Sequence, residues 1–563
     1  MTAIADERSK DFLDETWRAA LKRRLNEIWA SLAAKPDDRH VPGTMVAAFA
    51  GLIVVIIASI FSIRSGQNMA FPDAQSHLMI ARRITDSLAP GFTQLGTAWL
   101  PLPQLVLLPF VQSDWLWHTG WSGAILGALS MMGIPAGVYR IAARLGIGRT
   151  GRIIAVVLLL TNLSLIYEST TAMTEPLLLM FLVASVAGLT RWTLSERELS
   201  AGELMIFAGL PAAAAALSRF EGWAAFMAGT VVAGIVGWRK HGTIRNAVKI
   251  AAAYAVWPLM AISWYMAYTY AVYGNALEFA NGQFSAFQQQ VALSEAGFMS
   301  YQGHPGLTVW TFSWALAQTT GVLLCILGIL GSFALAWSRG IRNEALMVGL
   351  MLVPSAFILF SMYVGQTTLG TDHSVPPNLI NVRYTISAVP AFAVLGAVFV
   401  HSCWNPKWLR IIVVSGVILG IGAQSLYWMS DLRHSSVYAE GDANTVRRIK
   451  DGSIDAVTYL REHYDGGSIL IDETASGNAY LPEIGIPLRE YYNRSTGDLF
   501  TKALKDPSRY VRWVFMLVPD EIRGGLGYVD AVYTGIGNEP EFLAKYALEF
   551  SDGGYRIFRR IGE

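Results

Sequence analysis

A polar stretch that follows the first apolar run of the chain contains a carboxylate, an imidazole and two guanidinium groups. The stretch is FPDAQSHLMIARR, residues 71–83, with Asp73, His77, Arg82 and Arg83. A carboxylate in a water-accessible cleft can act as a general base on a hydroxyl that attacks an electrophile. Arginine is the residue best suited to bidentate contact with phosphate. Structural uses stay open as well, because Asp73 could cap a helix and the arginines could reach lipid headgroups.

Further charged and polar candidates lie in other loops, close to the ends of apolar runs. They are Glu168 and Glu175 in YESTTAMTEP, Arg219 and Glu221 in LSRFEGW, and His373, Arg383 and Tyr384 in TDHSVPPNLINVRY. Charge near the hydrocarbon boundary is costly unless it faces a cavity or a partner, so each is a functional candidate. Glu175 could equally begin a helix, since a proline follows it, and Arg219 with Glu221 could form an interfacial ion pair. Arg383, at the start of an apolar run, is the best candidate to bind an anionic lipid phosphate.

The elements that position these residues are predicted to be transmembrane helices. Of the 563 residues, 53% are hydrophobic and 15% are charged, with a mean hydropathy of +0.38, whereas soluble proteins carry about 25% charge. Apolar segments long enough to cross about 30 Å of hydrocarbon are predicted at 44–63, 120–139, 153–167, 175–192, 203–218, 222–238, 250–270, 309–336, 345–364, 384–402 and 409–428. The proline-rich run at 100–110 is too short to span and is predicted to be interfacial or re-entrant.

The distribution of Lys and Arg predicts the orientation. Most of these residues fall in alternate connections, which places the N-terminus in the cytoplasm and the first outer loop, about 64–119, outside. Residues 1–43 are then a cytoplasmic arm with an amphipathic helix, residues 44–428 a transmembrane domain, and residues 429–563 a soluble extracytoplasmic domain. The sequence therefore predicts a multi-pass protein of the plasma or inner membrane.

The polar C-terminal portion is predicted to be a small α/β or α+β domain. The expected elements are a helix in GSIDAVTYLREHY, buried strands in GSILIDE and VRWVFMLV, a helix running into a strand in PEFLAKYALEF, and an edge strand in GYRIFRR.

Composition and motifs also exclude several classes of function. A net charge of +1 argues against a nucleic-acid partner, and two cysteines cannot supply a disulfide framework or a Cys-based zinc site. The sequence has no Walker A motif, no dinucleotide-binding glycine pattern and no HExxH. Because no nucleotide-sugar pool exists outside the membrane, a lipid-phosphate carrier is the expected donor of any activated group.

The motifs, in their order and predicted outer location, resemble the GT-C class of membrane glycosyltransferases. Within that class they resemble the bacterial branch related to dolichyl-phosphate-mannose protein mannosyltransferases and to aminoarabinose transferases. The resemblance covers about residues 44 to 430 and is carried by PDAQSHLMIARRI, GTAWLPLPQLVLLPF, YESTTAMTEPLLLMF, LSRFEGW and NVRYTISAVP.

The resemblance implies a polyprenyl-phosphate-linked monosaccharide donor and an inverting, metal-independent transfer. The essential acid of the family's first outer loop maps onto Asp73, and the phosphate-contacting arginine of its late outer loop maps onto Arg383. The commoner pattern has a second acid directly after the first, whereas Ala74 stands here. Asp73 is therefore the only acid of the motif, which puts a second-carboxylate metal role in doubt.

The resulting hypothesis assigns a role to each candidate. Asp73 is the general base, and Arg383, helped by Arg82, Arg83 and Arg219, binds the donor phosphate. The predicted substrate contacts are His77, Glu168, Glu175, Glu221, Tyr384 and His373. No cofactor is predicted, with a divalent metal left open, and the acceptor is a hydroxyl of a glycolipid, a polysaccharide or a protein. The alternatives are a transporter or flippase for lipid-linked sugars or lipids, which often shows internal repeats that this chain lacks, and a non-catalytic scaffold.

Overall fold

The computed structural model describes residues 19–562, apart from 33, 38, 283–284, 296, 340–341, 404–405, 475–479 and 519–528. Residues 19–32 form an exposed helix within the predicted N-terminal arm, and the start of that arm lies outside the described residues. Leu21, Leu25 and Ile28 are exposed on this helix at the spacing of one helical face. The described part of the arm is therefore an amphipathic helix, and its position on the cytoplasmic face stays a prediction.

Helices dominate the chain as far as residue 430. They are α1 (Thr44–Arg64), α2 (Pro72–Arg83), α3 (Leu102–Leu107), α4 (Asp114–His118), α5 (Trp121–Arg144), α6 (Arg149–Leu160), α7 (Leu163–Glu168), α8 (Glu175–Leu194), α9 (Ala201–Ser218), α10 (Glu221–His241), α11 (Ile244–Tyr273), α12 (Glu278–Asn281), α13 (Ala286–Glu295), α14 (Pro305–Thr320), α15 (Val322–Arg339), α16 (Asn343–Met351), α17 (Val353–Tyr363), α18 (Val389–Ser402) and α19 (Lys407–Ser430). A 3₁₀ turn, Val382–Ala388, leads into α18.

Seven helices in the described part of the chain are long and apolar enough to cross a membrane, and two bent pairs raise the number to nine. The single helices include α1, α5, α8, α9, α11 and α19, and α18 counts together with its 3₁₀ turn. The pairs are α14 with α15, bent by 109°, and α16 with α17, bent by 51°. The protein is thus a largely helical multi-pass membrane protein, as predicted.

The two remaining predicted spans correspond to helices that do not meet the same test. The segment at 153–167 is divided between α6 and α7, because the Asn162 side chain accepts from the Leu165 amide and begins a new helix. The segment at 222–238 forms α10, which is long enough, but the charged residues at its two ends, Glu221, Arg239 and Lys240, lower its hydropathy together with its Gly and Trp residues. The proline-rich segment at 100–110 contains only the short helix α3 and does not form a spanning helix.

Glycines on α5 allow the connection between α7 and α8 to pack directly against that helix. A Cβ atom on Gly127 would lie 1.6 Å from the carbonyl oxygen of Ser169, and one on Gly123 would lie 2.6 Å from the amide nitrogen of Ala172. The backbone of this connection therefore occupies the space that side chains at these positions would need. The connection follows Glu168, so this packing also fixes one of the candidate site residues.

We expect Gly127→Ala to lower the free energy of unfolding by about 1–3 kcal/mol, the usual cost of overpacking a close contact. Thermal unfolding in detergent measures the effect. Gly349→Ala is the control, because a Cβ there would meet no atom within 4 Å and alanine favours a helix. Equal melting temperatures for the two variants would contradict the close-packing argument.

Residues after α19 form a short helical region followed by a sheet domain. The helices are α20 (Ser436–Lys450), α21 (Ser453–His463), α22 (Leu481–Ile484), α23 (Asp498–Lys505), α24 (Pro507–Tyr510), α25 (Ala531–Ile536) and α26 (Pro540–Lys545). The strands are β1 (Ile469–Ile471), β2 (Tyr491–Tyr492), β3 (Trp513–Leu517), β4 (Tyr546–Asp552) and β5 (Tyr555–Arg560).

The described strands form one mixed sheet in the order β2-β1-β3-β5-β4. β1 runs parallel to β2 and β3, whereas β5 is antiparallel to β3 and β4. The prediction that GYRIFRR is an edge strand is wrong, because β5 pairs on both sides and buries Tyr555, Ile557 and Phe558. The edge on that side is β4, where Leu548 is exposed.

Helix α20 packs against the transmembrane domain before the chain enters the sheet. Ser435 and Ser436 contact the hydroxyls of Ser164 and Thr319 at 2.9 and 3.2 Å, and the ring of Tyr438 lies 4.9 Å from that of Tyr167. The C-terminal domain therefore sits at the end of the helix bundle that carries α7. Contacts of α22 with α2 place Asp73 at this same end.

Candidate active site

The guanidinium of Arg383 lies at the centre of an ion-pair cluster at this end of the bundle. Its side chain is only 3% exposed, and it donates to three carboxylates. Nη2 is 2.5 Å from Oδ2 of Asp73, Nε is 3.3 Å from Oε1 of Glu175, and Nη1 is 3.1 Å from Oε1 of Glu440. One arginine thus joins helices α2, α8 and α20, which are far apart in the sequence.

A second arginine extends the cluster through Glu175. Nη1 of Arg219 is 3.0 Å from Oε1 of Glu175, and Nη2 is 2.8 Å from Oε1 of Glu221. The ring of Tyr384 lies under both guanidinium groups, 4.9 Å from that of Arg219 and 5.2 Å from that of Arg383. One shared carboxylate, that of Glu175, and the ring of Tyr384 therefore hold the two cations together.

Three of the acids occupy the first turn of a helix. Asp73 follows Pro72 in α2, Glu175 begins α8 and Glu221 begins α10, where the helix dipole favours negative charge. Asp73 is not the helix cap, because Phe71 holds that position without a side-chain hydrogen bond. These three carboxylates thus occupy positions that favour negative charge at a helix start, and from there they contact the arginines.

The backbone next to Arg383 is fixed by the same acid that binds its side chain. Asn381 has a φ of 55°, in the left-handed region that non-glycine residues seldom adopt. The carboxylate of Glu440 accepts from the amides of Asn381 and Val382 at 2.8 and 3.2 Å. Glu440 therefore holds both the start of the 3₁₀ turn and the guanidinium of Arg383.

Asp73 is the open member of the cluster. Its side chain is 39% exposed, whereas those of Glu175 and Glu440 are each 6% exposed. The Asp73 carboxylate is therefore partly open to solvent, while Glu175 and Glu440 contact Arg383 inside the protein.

The cluster contains more acids than arginines. Glu168 is fully buried beside Glu175, and burial, followed by the charge of Glu175, raises the pKa of Glu168 well above its ordinary value. Burial also raises the pKa of Glu440, although Arg383 opposes this effect. Because its pKa is raised well above the ordinary value, Glu168 takes up a proton more readily than an exposed glutamate, which reduces the excess negative charge of the cluster. Among the described residues, no group of three or more His, Cys, Asp or Glu is arranged to hold a metal ion.

His77 lies on α2, one helical turn after Asp73. It is buried, its Nδ1 lies 2.8 Å from Nε2 of Gln104, and its ring meets that of Trp99 edge-on at 4.8 Å. Burial lowers the pKa of His77 to about 4, so the imidazole is neutral near pH 7. A neutral imidazole adds no positive charge to the cluster.

This shift predicts a loss of stability in acid. An unfolded chain binds a proton at His77 near the ordinary value of 6.5, whereas the folded protein does so only near 4. Its contribution to stability is therefore complete above pH 6.5 and is lost as pH falls toward 4, by roughly 3 kcal/mol at full extent.

We expect His77→Asn to reduce the difference in unfolding free energy between pH 7 and pH 5, measured in detergent. His463→Asn, which replaces an exposed histidine, is the matched control and should keep the wild-type difference. An unchanged pH dependence in His77→Asn would show that this histidine does not carry the effect.

The structure does not bring Arg82, Arg83 or His373 into the cluster. Arg82 donates to Asp86 at 2.9 Å and Asp114 at 2.5 Å. Nε of Arg83 donates to a carbonyl at 2.6 Å, and the ring of His373 lies 4.0 Å from Trp314. Arg82 stands nine residues after Asp73 on α2. This spacing places it on the opposite face of the helix and about 13 Å further along the helix axis. The donor-phosphate role predicted for both arginines therefore has no support in this geometry, nor has the substrate role of His373.

Glu440 is absent from the predicted site, because all residues from 429 onward are predicted to form a separate domain. The sequence feature that could have indicated Glu440 is a helical pattern just after the last predicted span. Ser436, Val437, Glu440 and Gly441 are buried at the spacing of one helix face. A glutamate on such a face indicates a helix that packs against a partner and needs a cation there.

Fold and cluster together define a multi-pass membrane protein with a buried arginine–carboxylate site beside a C-terminal sheet domain. Residues 106–276 match the family described as dolichyl-phosphate-mannose-protein mannosyltransferase. The matched region contains Glu168, Glu175, Arg219 and Glu221 but neither Asp73 nor Arg383. No curated protein sequence is significantly similar to the chain.

Two solved structures share the fold. ArnT from Cupriavidus metallidurans bound to undecaprenyl phosphate superposes with a TM-score of 0.57 at 13% identity, covering 90% of this chain and 98% of ArnT. The same protein in the apo state gives 0.53 at 15% identity, covering 92% and 98%. The predicted resemblance is confirmed: the chain has the fold of GT-C membrane glycosyltransferases.

Proposed function

We propose that the protein is a glycosyltransferase that moves a monosaccharide from a polyprenyl-phosphate carrier to an acceptor hydroxyl on the extracytoplasmic face of the cell membrane. The observation that carries the proposal is the pairing of the exposed Asp73 carboxylate with the buried Arg383 guanidinium. This pair offers a proton acceptor on the open side and a fixed cation behind it. The match to the mannosyltransferase family and the undecaprenyl phosphate bound to ArnT support a lipid-linked donor.

The reaction is a direct displacement at the anomeric carbon. The acceptor oxygen forms a bond to that carbon and gives its proton to Asp73. The bond between the anomeric carbon and the phosphate oxygen breaks, and its electron pair leaves with the polyprenyl phosphate. Attack from the face opposite the leaving group inverts the configuration.

Each charged group then has a defined task. General-base help typically contributes about 10²–10⁴-fold to the rate. The departing phosphate gains a negative charge, and the fixed guanidinium groups of Arg383 and Arg219 stabilise it as it develops. Tyr384, under both guanidinium groups, holds them in place.

Donor binding would exchange partners within the cluster. Without donor, three carboxylates form ion pairs with the guanidinium of Arg383. The donor phosphate enters from the open side, where Asp73 lies, and takes over its contact with Nη2. This exchange releases the Asp73 carboxylate toward the acceptor, so that the base becomes free when donor is present.

Purified protein in liposomes, supplied with radiolabelled polyprenyl-phosphate sugars and a membrane lipid extract, tests the proposal. We expect label to leave the carrier and appear on an acceptor, with release of polyprenyl phosphate. Label that crosses the bilayer while still attached to its carrier would instead identify a flippase. Intact carrier on its original side would contradict both functions.

The orientation has its own test. Single cysteines at Glu462, in the C-terminal domain, and at Thr243, between α10 and α11, are both at exposed positions. An impermeant thiol reagent added to intact cells of a Gram-negative host with a permeabilised outer membrane should label the first and not the second. The reverse pattern would place the site on the cytoplasmic face.

A further inference from the structure

One short segment of the C-terminal domain, residues 480–490, contacts both ends of α2, the helix that carries Asp73. At the first end, Nε2 of Gln75 lies 2.5 Å from Oε1 of Glu483 and 2.7 Å from the carbonyl oxygen of Met69. Gln75 is buried and stands two residues after Asp73. Glu483 therefore contacts α2 within the same turn as Asp73.

Glu483 is itself held by α20. Nη1 and Nη2 of Arg448 donate to its two oxygens at 2.8 and 2.7 Å, a bidentate geometry that fixes both groups. The ring of Tyr480 supports the Arg448 guanidinium at 4.4 Å. Because α20 also carries Glu440, one carboxylate links the helix that bears Asp73 to the helix that orients Arg383.

The same segment holds the other end of α2 through Asp86. Oδ2 of Asp86 accepts from Nε of Arg82 at 2.9 Å and from the amide of Leu488 at 3.2 Å. Oδ1 accepts from the amide of Arg489 at 3.3 Å. Arg82 therefore helps to attach α2 to the C-terminal domain.

We infer that Glu483 is a positioning residue for the general base: through Gln75 and Arg448 it sets the distance between Asp73 and Arg383. The inference rests on the proposed function of Asp73, and it gives the C-terminal domain a direct part in that function. Helix α2 has no side-chain cap at its start, so contacts from outside must fix its first turn. A displacement of about 1 Å at a reacting group can cost about 10²-fold in rate.

A charge swap across the contact provides the test. Gln75→Glu places two carboxylates against one arginine and should push α2 away from the C-terminal domain. We expect kcat for transfer to fall by about 10²-fold, with the KM for donor changed far less, since the arginines remain. Adding Glu483→Gln restores one carboxylate, one amide and one arginine, so the double variant should recover most of the lost kcat.

The matched control is Glu541→Gln in the same domain, which breaks an exposed ion pair with Lys545 and should leave kcat unchanged. Normal turnover by Gln75→Glu would overturn the inference while leaving the proposed function intact. Equal losses in the single and double variants, together with lower melting temperatures, would show a merely structural contact and would also overturn it.

Hydrogen exchange gives a readout that does not depend on activity. Amides of residues 72–78 should exchange faster in Gln75→Glu and return to wild-type rates in the double variant, with β1 and β3 unchanged. If wild-type protein transfers no sugar, the proposed function fails, yet this pattern still supports the coupling of Glu483 to α2. Unchanged exchange at residues 72–78 would overturn the coupling itself.

Discussion

Replacing Asp73 with asparagine is expected to lower the rate of sugar transfer by about 10²–10⁴-fold while donor binding persists. Asparagine has nearly the same size and can still accept a hydrogen bond from Arg383, but it cannot take the acceptor proton. Because Asp73 is the exposed member of the cluster, the change leaves no buried charge without a partner. Initial rates of transfer and the binding of labelled polyprenyl phosphate, measured on the same preparation, separate the two effects.

Asp455→Asn is the matched control for this substitution. Asp455 lies in the first turn of α21 and is exposed, so the same chemical change there should leave turnover at the wild-type rate. Near-normal transfer by Asp73→Asn would remove this residue from the mechanism. A loss of donor binding equal to the loss of rate would assign it to the binding of the carrier instead.

Arg383→Lys is expected to impair both activity and stability. Lysine keeps the charge but lacks the planar fork of donors, so one ammonium cannot reach Asp73, Glu175 and Glu440 together. Loss of a fixed donor to developing charge typically costs about 10²–10³-fold in rate. A buried carboxylate left without its partner costs about 3–5 kcal/mol. Transfer assays and thermal unfolding in detergent measure the two losses.

A double variant separates these two effects. Glu440→Gln, added to Arg383→Lys, removes one buried charge and should restore part of the melting temperature without restoring transfer. Arg433→Lys is the control, because its ion pair with Asp431 is largely exposed and such pairs contribute little. Full turnover by Arg383→Lys would show that the guanidinium geometry is unimportant.

The sequence predicts the part of the site that depends on helix ends. Glu175, Arg219 and Glu221 are recognisable because charge at the hydrocarbon boundary needs a partner, and the fold brings them together. Arg82 is misleading for a physical reason: it is close to Asp73 in sequence, but the helical repeat directs it to the opposite face. Proximity along a helix predicts a shared site only at spacings near three, four or seven residues.

Glu440 shows a different limit of prediction from sequence. A change of composition after residue 429 coincides with the end of α19 at Ser430, but it does not show which later residues pack back against the helices before it. The bend within the predicted span at 309–336 is missed for a similar reason. Hydropathy predicts one apolar segment at 309–336, whereas Gly321, with a φ of 84°, allows the 109° bend between α14 and α15. Patterns of apolarity report burial in lipid and carry no information about direction.

The contact between Arg383 and Glu440 has a consequence for biosynthesis. The ribosome adds the 3₁₀ turn with Arg383 before α18 and α19, and the codon for Glu440 is read only after both. When these last helices are synthesised, Asp73 and Glu175 are already part of the chain, whereas the third carboxylate is not. The site is therefore completed by one of the later steps of chain elongation, and a nascent chain that stops before residue 440 cannot assemble it.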